Sequence, residues 1–299
     1  MPEKKSLIVV GGPTAAGKSA VAIALAKIYD SEIINADSRQ VYSELNIGVN
    51  KPSAEELEQI PHHLLGHVSI HQEYNAGLYE RDALDVIHSV LKRKNTAVLV
   101  GGTGLYIKAV IQGLDEFPQI SPEIKKELRE WYALYGLEFI QHRLIDVDPE
   151  YAAEVDLHNP MRILRALEVT LSSGEKYSSL RARNSKNRNF EIIPVFIGKD
   201  RTELYKIIDE RVDLMVEKGL KKEAFSLSAY KQLKALQTVG YTEWFDYFEG
   251  KLSESEAISK IKQHTRNYAK RQWTWWKPWA WPGFEASQLD QIQRYIDLK

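Results

Sequence analysis

The chain of 299 residues contains no cysteine. Disulfides, thiolate-bound zinc and a cysteine nucleophile are therefore excluded, and the composition fits a cytoplasmic protein. No run of eighteen apolar residues occurs, and Met1-Pro2-Glu3-Lys4-Lys5 leads straight into a strand pattern. Neither a signal peptide nor a membrane span is expected. Hydrophobic content of 43% and charged content of 27% are those of an ordinary globular protein, long enough for one large or two modest domains. A further absence is local. From Ala257 to Phe284 there is no acidic residue, although the whole chain carries a formal net charge of only −1. Lys260, Lys262, Arg266, Lys270, Arg271 and Lys277 make that stretch basic, and Arg181 to Arg188 forms a second acid-free basic block. Such blocks are either solvated faces or surfaces for phosphates.

What the sequence does have is a phosphate loop. Gly12, Pro13, Thr14, Ala15, Ala16, Gly17, Lys18 and Ser19 complete the pattern G-x-x-x-x-G-K-S. Leu7-Ile8-Val9-Val10 before it reads as a buried strand, and the Ala-rich run after it suits a helix. The glycines let successive N–H groups converge on one anion at the positive end of that helix. Lys18 adds a mobile charge on the phosphates, and Ser19 offers its hydroxyl to a phosphate-bound Mg2+. The chain is expected to bind a di- or triphosphate.

The first third alternates strands (6–11, 32–36, 96–100) with helices (17–29, about 76–94), which implies right-handed crossovers and a parallel sheet. Ligands collect at the carboxyl ends of such strands. After Gly113 the pattern becomes helical, with segments near 122–134, 137–146, 149–156 and 160–172, and 178–189 reads as a polar, basic loop. A β run at 192–198, a helix at about 201–218 and a last helix at about 253–276 follow. The expected fold is α/β: a parallel-sheet core like that of phosphate-loop NTPases, made of 1–116 and 190–299, with an all-helical insertion at 117–189.

Three loops at strand ends carry candidate chemistry. Asp37 ends the second strand, where it could cap a helix, hold magnesium or act as a general base. The strand 97–100 ends in Gly101-Gly102 instead of an acid, leaving Asp37 as the well-placed carboxylate. Ser38 and Gln40 add groups able to read a base edge, and Thr103 sits in the second glycine-rich loop. Arg162 and Arg165 share a helix face, with pairing to Glu168 or phosphate contact both open. Acids surround Arg211, so an ion pair along the helix is one reading there. His62, His63, His67 and His71 lack a firm ligand spacing for a metal. Lys262, Arg266, Lys270, Trp273 and Lys277 fall on one helical stripe, cations interleaved with an aromatic as a nucleic-acid surface requires.

G-P-T-A-A-G-K-S, D-S-R-Q-V-Y at 37–42, K-P at 51–52, H-H-L-L at 62–65, G-G-T-G-L-Y, N-P-M-R-I-L-R-A-L-E, V-G-Y at 239–241 and Y-A-K-R-Q-W-T-W-W resemble, in this order, the bacterial tRNA dimethylallyltransferase family, also called tRNA isopentenyltransferases. The resemblance covers nearly the whole chain. Gly66 stands where the family usually has Asp, and Gly48-Val49-Asn50 where G-T-x is common. The resemblance implies transfer of a dimethylallyl group from dimethylallyl diphosphate to N6 of the adenosine 3′ of the anticodon, on the anticodon stem-loop of tRNA. It implies Asp37 as general base, and Lys18, Arg211 and Ser19-bound magnesium absorbing charge on the leaving diphosphate. By motif matching, Asp37, Ser38, Arg39, Gln40, Thr103, Met161, Arg162, Ile163, Leu164 and Arg165 contact tRNA, and Lys125 is placed by its distance from the G-G-T-G-L-Y loop. The stripe of Lys262, Arg266 and Lys270 is expected on the tRNA backbone, and the protein is expected to act as a monomer. An adenylate isopentenyltransferase, a small-molecule kinase and a nucleotide-gated RNA-binding module remain as alternatives.

Overall fold

A computed structural model describes residues 5–181 and 186–299. Part of the basic block, Arg183 included, and Met1 to Lys4 lie outside the described residues. The chain divides into two compact units, one of residues 1–111 and 187–299, the other of residues 112–186.

The larger unit begins with β1 (Ser6–Gly11), α1 (Lys18–Ile28), β2 (Ile33–Asn35), α2 (Ala54–Gln59), β3 (His62–His63), α3 (Ala76–Arg93), β4 (Thr96–Gly101) and α4 (Gly104–Gln112). All six strands of its sheet are parallel, in the order β3-β2-β4-β1 followed by two strands described below. Both faces of the sheet are covered, as parallel sheets require. On β1, Leu7 and Val9 enter the core on one face and Ile8 and Val10 that on the other. Every residue of β4 is buried. In α1 the alanines Ala22 and Ala26 let the helix lie close on the sheet, and Lys18 follows a left-handed Gly17 at φ 92°. The turn needs that backbone conformation, which favours glycine.

The smaller unit is helical: α5 (Pro122–Val147), α6 (Pro149–Glu154), α7 (Pro160–Ser173) and α8 (Tyr177–Leu180). Gly136 breaks α5 with non-helical angles, so it is two helices end to end, near the expected division. Ser121, Asp148 and Asn159 cap three of these helices, each followed by Pro at the first helical position. Leu128, Ile140, Leu144, Ile163, Leu164 and Leu167 form its core.

The larger unit resumes with β5 (Glu191–Ile197), α9 (Arg201–Glu217), α10 (Leu220–Ser226), α11 (Thr242–Phe248), α12 (Glu254–Trp276), β6 (Gly283–Phe284) and α13 (Leu289–Asp297). β5 pairs with β1, and β6 with β5. A capping box between Ser253 and Glu256 starts α12. The helix at 253–276 is not the last, because α13 follows and buries Ile292 and Ile296. The strands β3 and β6 are two residues each, too short to leave a period in the sequence. Arg188 and Phe190 belong to the larger unit. Arg188 pairs with Glu80 at 2.9 Å and donates to the carbonyls of Ala109 and Val110, while Phe190 packs in the sheet core.

Candidate active site

β4 lies between β1 and β2, with Gly11 beside Gly101 and Asn35 beside Val100. The phosphate loop, the loop at 36–40 and the loop at 101–104 thus meet at one sheet edge. Gly101 carries no side chain there for a reason of space: a Cβ would come within 2.1 Å of the Ala36 carbonyl oxygen. A Cβ on Gly104 would come within 1.9 Å of Trp275 Nε1. These glycines serve close packing at the sheet edge, beside the gap between Asp37 and the phosphate loop.

A cavity of about 520 Å³ fills that gap, lined by Thr14, Asp37, Arg39, Arg211, His264 and Tyr268 among others. Asp37 Oδ1 accepts from the N–H groups of Arg39 at 2.8 Å and Gln40 at 3.3 Å, which fixes the carboxylate in a local turn. Oδ2 has no hydrogen-bond partner among the described residues. No helix follows directly for Asp37 to cap, and the turn uses one oxygen while leaving the other for chemistry. Thr103 Oγ1 accepts from the Ser38 N–H at 2.9 Å, and its hydroxyl is hydrogen-bonded with that of Tyr268, tying the two loops to α12. Burial first, and the nearby Asp37 charge, push the Tyr268 hydroxyl up to about 12. Gln40 is committed to the chain, donating to the carbonyls of Val49 and Asn50 at 3.0 and 2.9 Å. The Arg39 guanidinium donates to Lys234 and Ala235 carbonyls.

Lys18 folds back onto its own loop, Nζ donating to the Pro13 carbonyl at 2.6 Å. Burial, then the positive charge of Arg211, lower its pKa to about 7 against a raising effect from Asp37. Arg211 is half-buried and donates to Thr14 Oγ1 at 3.2 Å. Among the described residues it has no carboxylate partner, so the ion pair along its own helix does not form. The flanking acids point the other way, Asp209 to Arg266 and Asp213 to Lys262. Gln272 joins the two glycine-rich loops, accepting from the Thr14 N–H and donating to the Gly102 carbonyl. Sequence reasoning missed Gln272 and Tyr268, because neither side chain announces chemistry alone; their signal lay in the Y-A-K-R-Q-W run.

The basic stripe is not a uniformly free face. Lys262 and Arg266 are neutralised by α9, at 2.7 Å for Lys262 to Asp213 and 2.5 Å for Arg266 to Asp209. Lys270 and Lys277 have no acidic partner among the described residues, and they line a second cavity of about 930 Å³ with Trp273, Phe196 and Phe284. His264 and Tyr268 are offset from the stripe by two residues, or about 200° around the helix, so the stripe faces away from the Asp37 cavity. In the Arg181 to Arg188 block, each described cation has a carboxylate: Glu154 for Arg181, Glu116 for Lys186, Glu80 for Arg188.

On α7, Met161, Arg162 and Arg165 are exposed, whereas Ile163 and Leu164 are buried in the helical unit. The helical period explains this correction: the side chains between the two arginines turn inward and cannot meet a ligand. Arg165 packs over the Phe117 ring at 5.3 Å and lies 3.8 Å from Glu168. Lys125 is half-buried on α5.

A family model described as IPP transferase matches residues 40–279. A tRNA dimethylallyltransferase of Cytophaga hutchinsonii is 40% identical, covering 99% of this chain and 97% of that protein. One from Christiangramia forsetii is 43% identical, covering 91% and 90%. Among solved structures, the tRNA isopentenylpyrophosphate transferase of Bacillus halodurans superimposes with a TM-score of 0.72 at 32% identity, covering 98% of this chain and 96% of that one. A eukaryotic dimethylallyltransferase acting on tRNA gives 0.81 at 27% identity, covering 96% and 75%.

Proposed function

The chain belongs to the IPP transferase family, and we infer that it is a tRNA dimethylallyltransferase. It moves the dimethylallyl group of dimethylallyl diphosphate onto N6 of the adenosine 3′ of the anticodon. The carrying observation is the shared cavity, which holds one free carboxylate oxygen of Asp37 opposite the Thr14–Arg211 corner of the phosphate loop.

The loop N–H groups, Lys18 and Arg211 bind the diphosphate and take up charge as it leaves. An exocyclic adenine amine is a weak nucleophile, because its lone pair is delocalised into the ring. As N6 forms its bond to C1 of the prenyl group, the C1–O bond to diphosphate breaks and Asp37 Oδ2 takes the N6 proton. The adenosine must leave its stack to reach the sheet edge. Ser19 fits a magnesium ligand: it is exposed at the start of α1 and its hydroxyl has no partner among the described residues. Bound there, Mg2+ would neutralise diphosphate charge. Ser38, Arg39, Gln40 and Thr103 shape the adenosine site. Exposed Met161, Arg162 and Arg165, with Lys125, and Lys270 beside Trp273 are the contacts we assign to the rest of the RNA.

Incubation with labelled dimethylallyl diphosphate and either tRNA or free AMP tests the reading. Label is expected on tRNA, without ATP consumption. Label on AMP alone would replace it with an adenylate isopentenyltransferase, and coupled ATP hydrolysis with a kinase.

A further inference from the structure

The Asp37 cavity contains a second carboxylate that the transfer chemistry does not use. Glu243 is 2% exposed, on the first turn of α11, where a helix N-terminus tolerates a buried anion. Its Oε2 accepts from the Gly240 N–H at 2.8 Å and the Thr242 hydroxyl at 3.1 Å. Its Oε1 lies 2.6 Å from His264 Nδ1. An ionised carboxylate only accepts, so Nδ1 carries a proton and Nε2 is the ring nitrogen left over. His264 keeps 46% of its side chain exposed and lines the cavity. This is a ring fixed from behind by a buried anion, with its other edge open to the substrate.

Position names the ligand. His264 stands one helical turn from Tyr268, whose hydroxyl feels the Asp37 charge. That separation, about 6 Å along the helix axis, exceeds the ~3.4 Å step between stacked nucleotides. It suits a neighbour pulled out of register by a splayed-out target. In either protonation state of the imidazole the pair carries no net positive charge, which favours a base edge over a phosphate. Resting on the tRNA reading above, we propose that the Glu243–His264 pair reads a nucleotide adjacent to the reacting adenosine, His264 Nε2 bonding its base edge. Glu243 is the positioning residue.

The test uses the full-length protein and anticodon stem-loop RNAs, intact or abasic at either neighbour of the target. One abasic site should reduce wild-type kcat/KM about tenfold, the value of one lost base contact. His264→Ala should lose about as much on intact RNA, through KM, and lose nothing more on that abasic RNA. His264→Gln, which keeps a hydrogen-bonding group, should recover part of the loss, and Glu243→Gln should fall between. Thermal midpoint and dimethylallyl diphosphate affinity of the His264 variants should match wild type; if Glu243→Gln is unstable, the two His264 variants decide. Losses that multiply, or a His264→Ala protein that behaves as wild type, overturn the proposal. A wild-type protein that modifies no RNA removes the premise instead, a result distinct from multiplying losses.

Discussion

Thr14 and Gln272, 258 positions apart, are joined by a 2.8 Å hydrogen bond from the Thr14 N–H to the Gln272 side-chain oxygen. The same amide donates to Gly102 at 2.9 Å, so one buried side chain on α12 sets the spacing of two glycine-rich loops. Gln272→Ala leaves two backbone groups unpaired and should lower stability by about 1–3 kcal/mol. Gln272→Glu cannot donate to Gly102 and places a negative charge against the loop. It should weaken prenyl diphosphate binding more than the alanine variant does, as calorimetry can show.

Lys18 gives a pH dependence with a defined sign. Its free-protein pKa of about 7 reflects a charge disfavoured by burial and by Arg211. An arriving diphosphate reverses that balance and raises the pKa. At about pH 8 binding should take up close to one proton, and below about pH 6 none from this group. Titrations in buffers of different ionisation enthalpy measure the uptake directly, and a buffer-independent enthalpy at about pH 8 would contradict the assignment.

Arg211 reaches the phosphate loop through Thr14 Oγ1 while its neighbours Asp209 and Asp213 face α12. Arg211→Ala should reduce transfer by about 10²-fold, as loss of one charge-stabilising donor does. Thr14→Val removes only the hydroxyl partner and should reduce it far less. Equal losses would mean that Arg211 acts only by shaping the loop.

Two ion pairs divide the basic stripe. Lys270→Ala should make the dependence of tRNA affinity on salt shallower by about one unit of log–log slope. Lys262→Ala and Arg266→Ala should leave the slope nearly unchanged, since Asp213 and Asp209 already balance those charges. Affinity measured across a salt series separates the two groups.

The phosphate loop was legible because spacing alone specifies it, as were the alternating strands and helices of the first third, each long enough to show a period. β3, β6 and α13 were not. Two-residue strands have no period, and α13 announces itself only by Leu289, Ile292 and Ile296. The acid-free stretch of α12 misled in part for a physical reason. The carboxylates that balance Lys262 and Arg266 lie on α9, 49 and 57 positions away, and local composition cannot report a partner from another helix. Ile163 and Leu164 failed similarly, because a motif read as a string ignores which side of the helix each residue occupies. Asp37 was placed correctly at a strand end, but its split use of two oxygens is visible only in three dimensions.

Asp37 carries the central claim, and Asp37→Asn tests it most directly. The amide keeps the size of the carboxylate and can still accept from Arg39 and Gln40, but it cannot take a proton from N6. Single-turnover transfer from labelled dimethylallyl diphosphate to tRNA should fall by about 10²- to 10⁴-fold, with tRNA affinity little changed. Transfer at close to the wild-type rate would contradict the account and reduce Asp37 to the turn that its Oδ1 already makes.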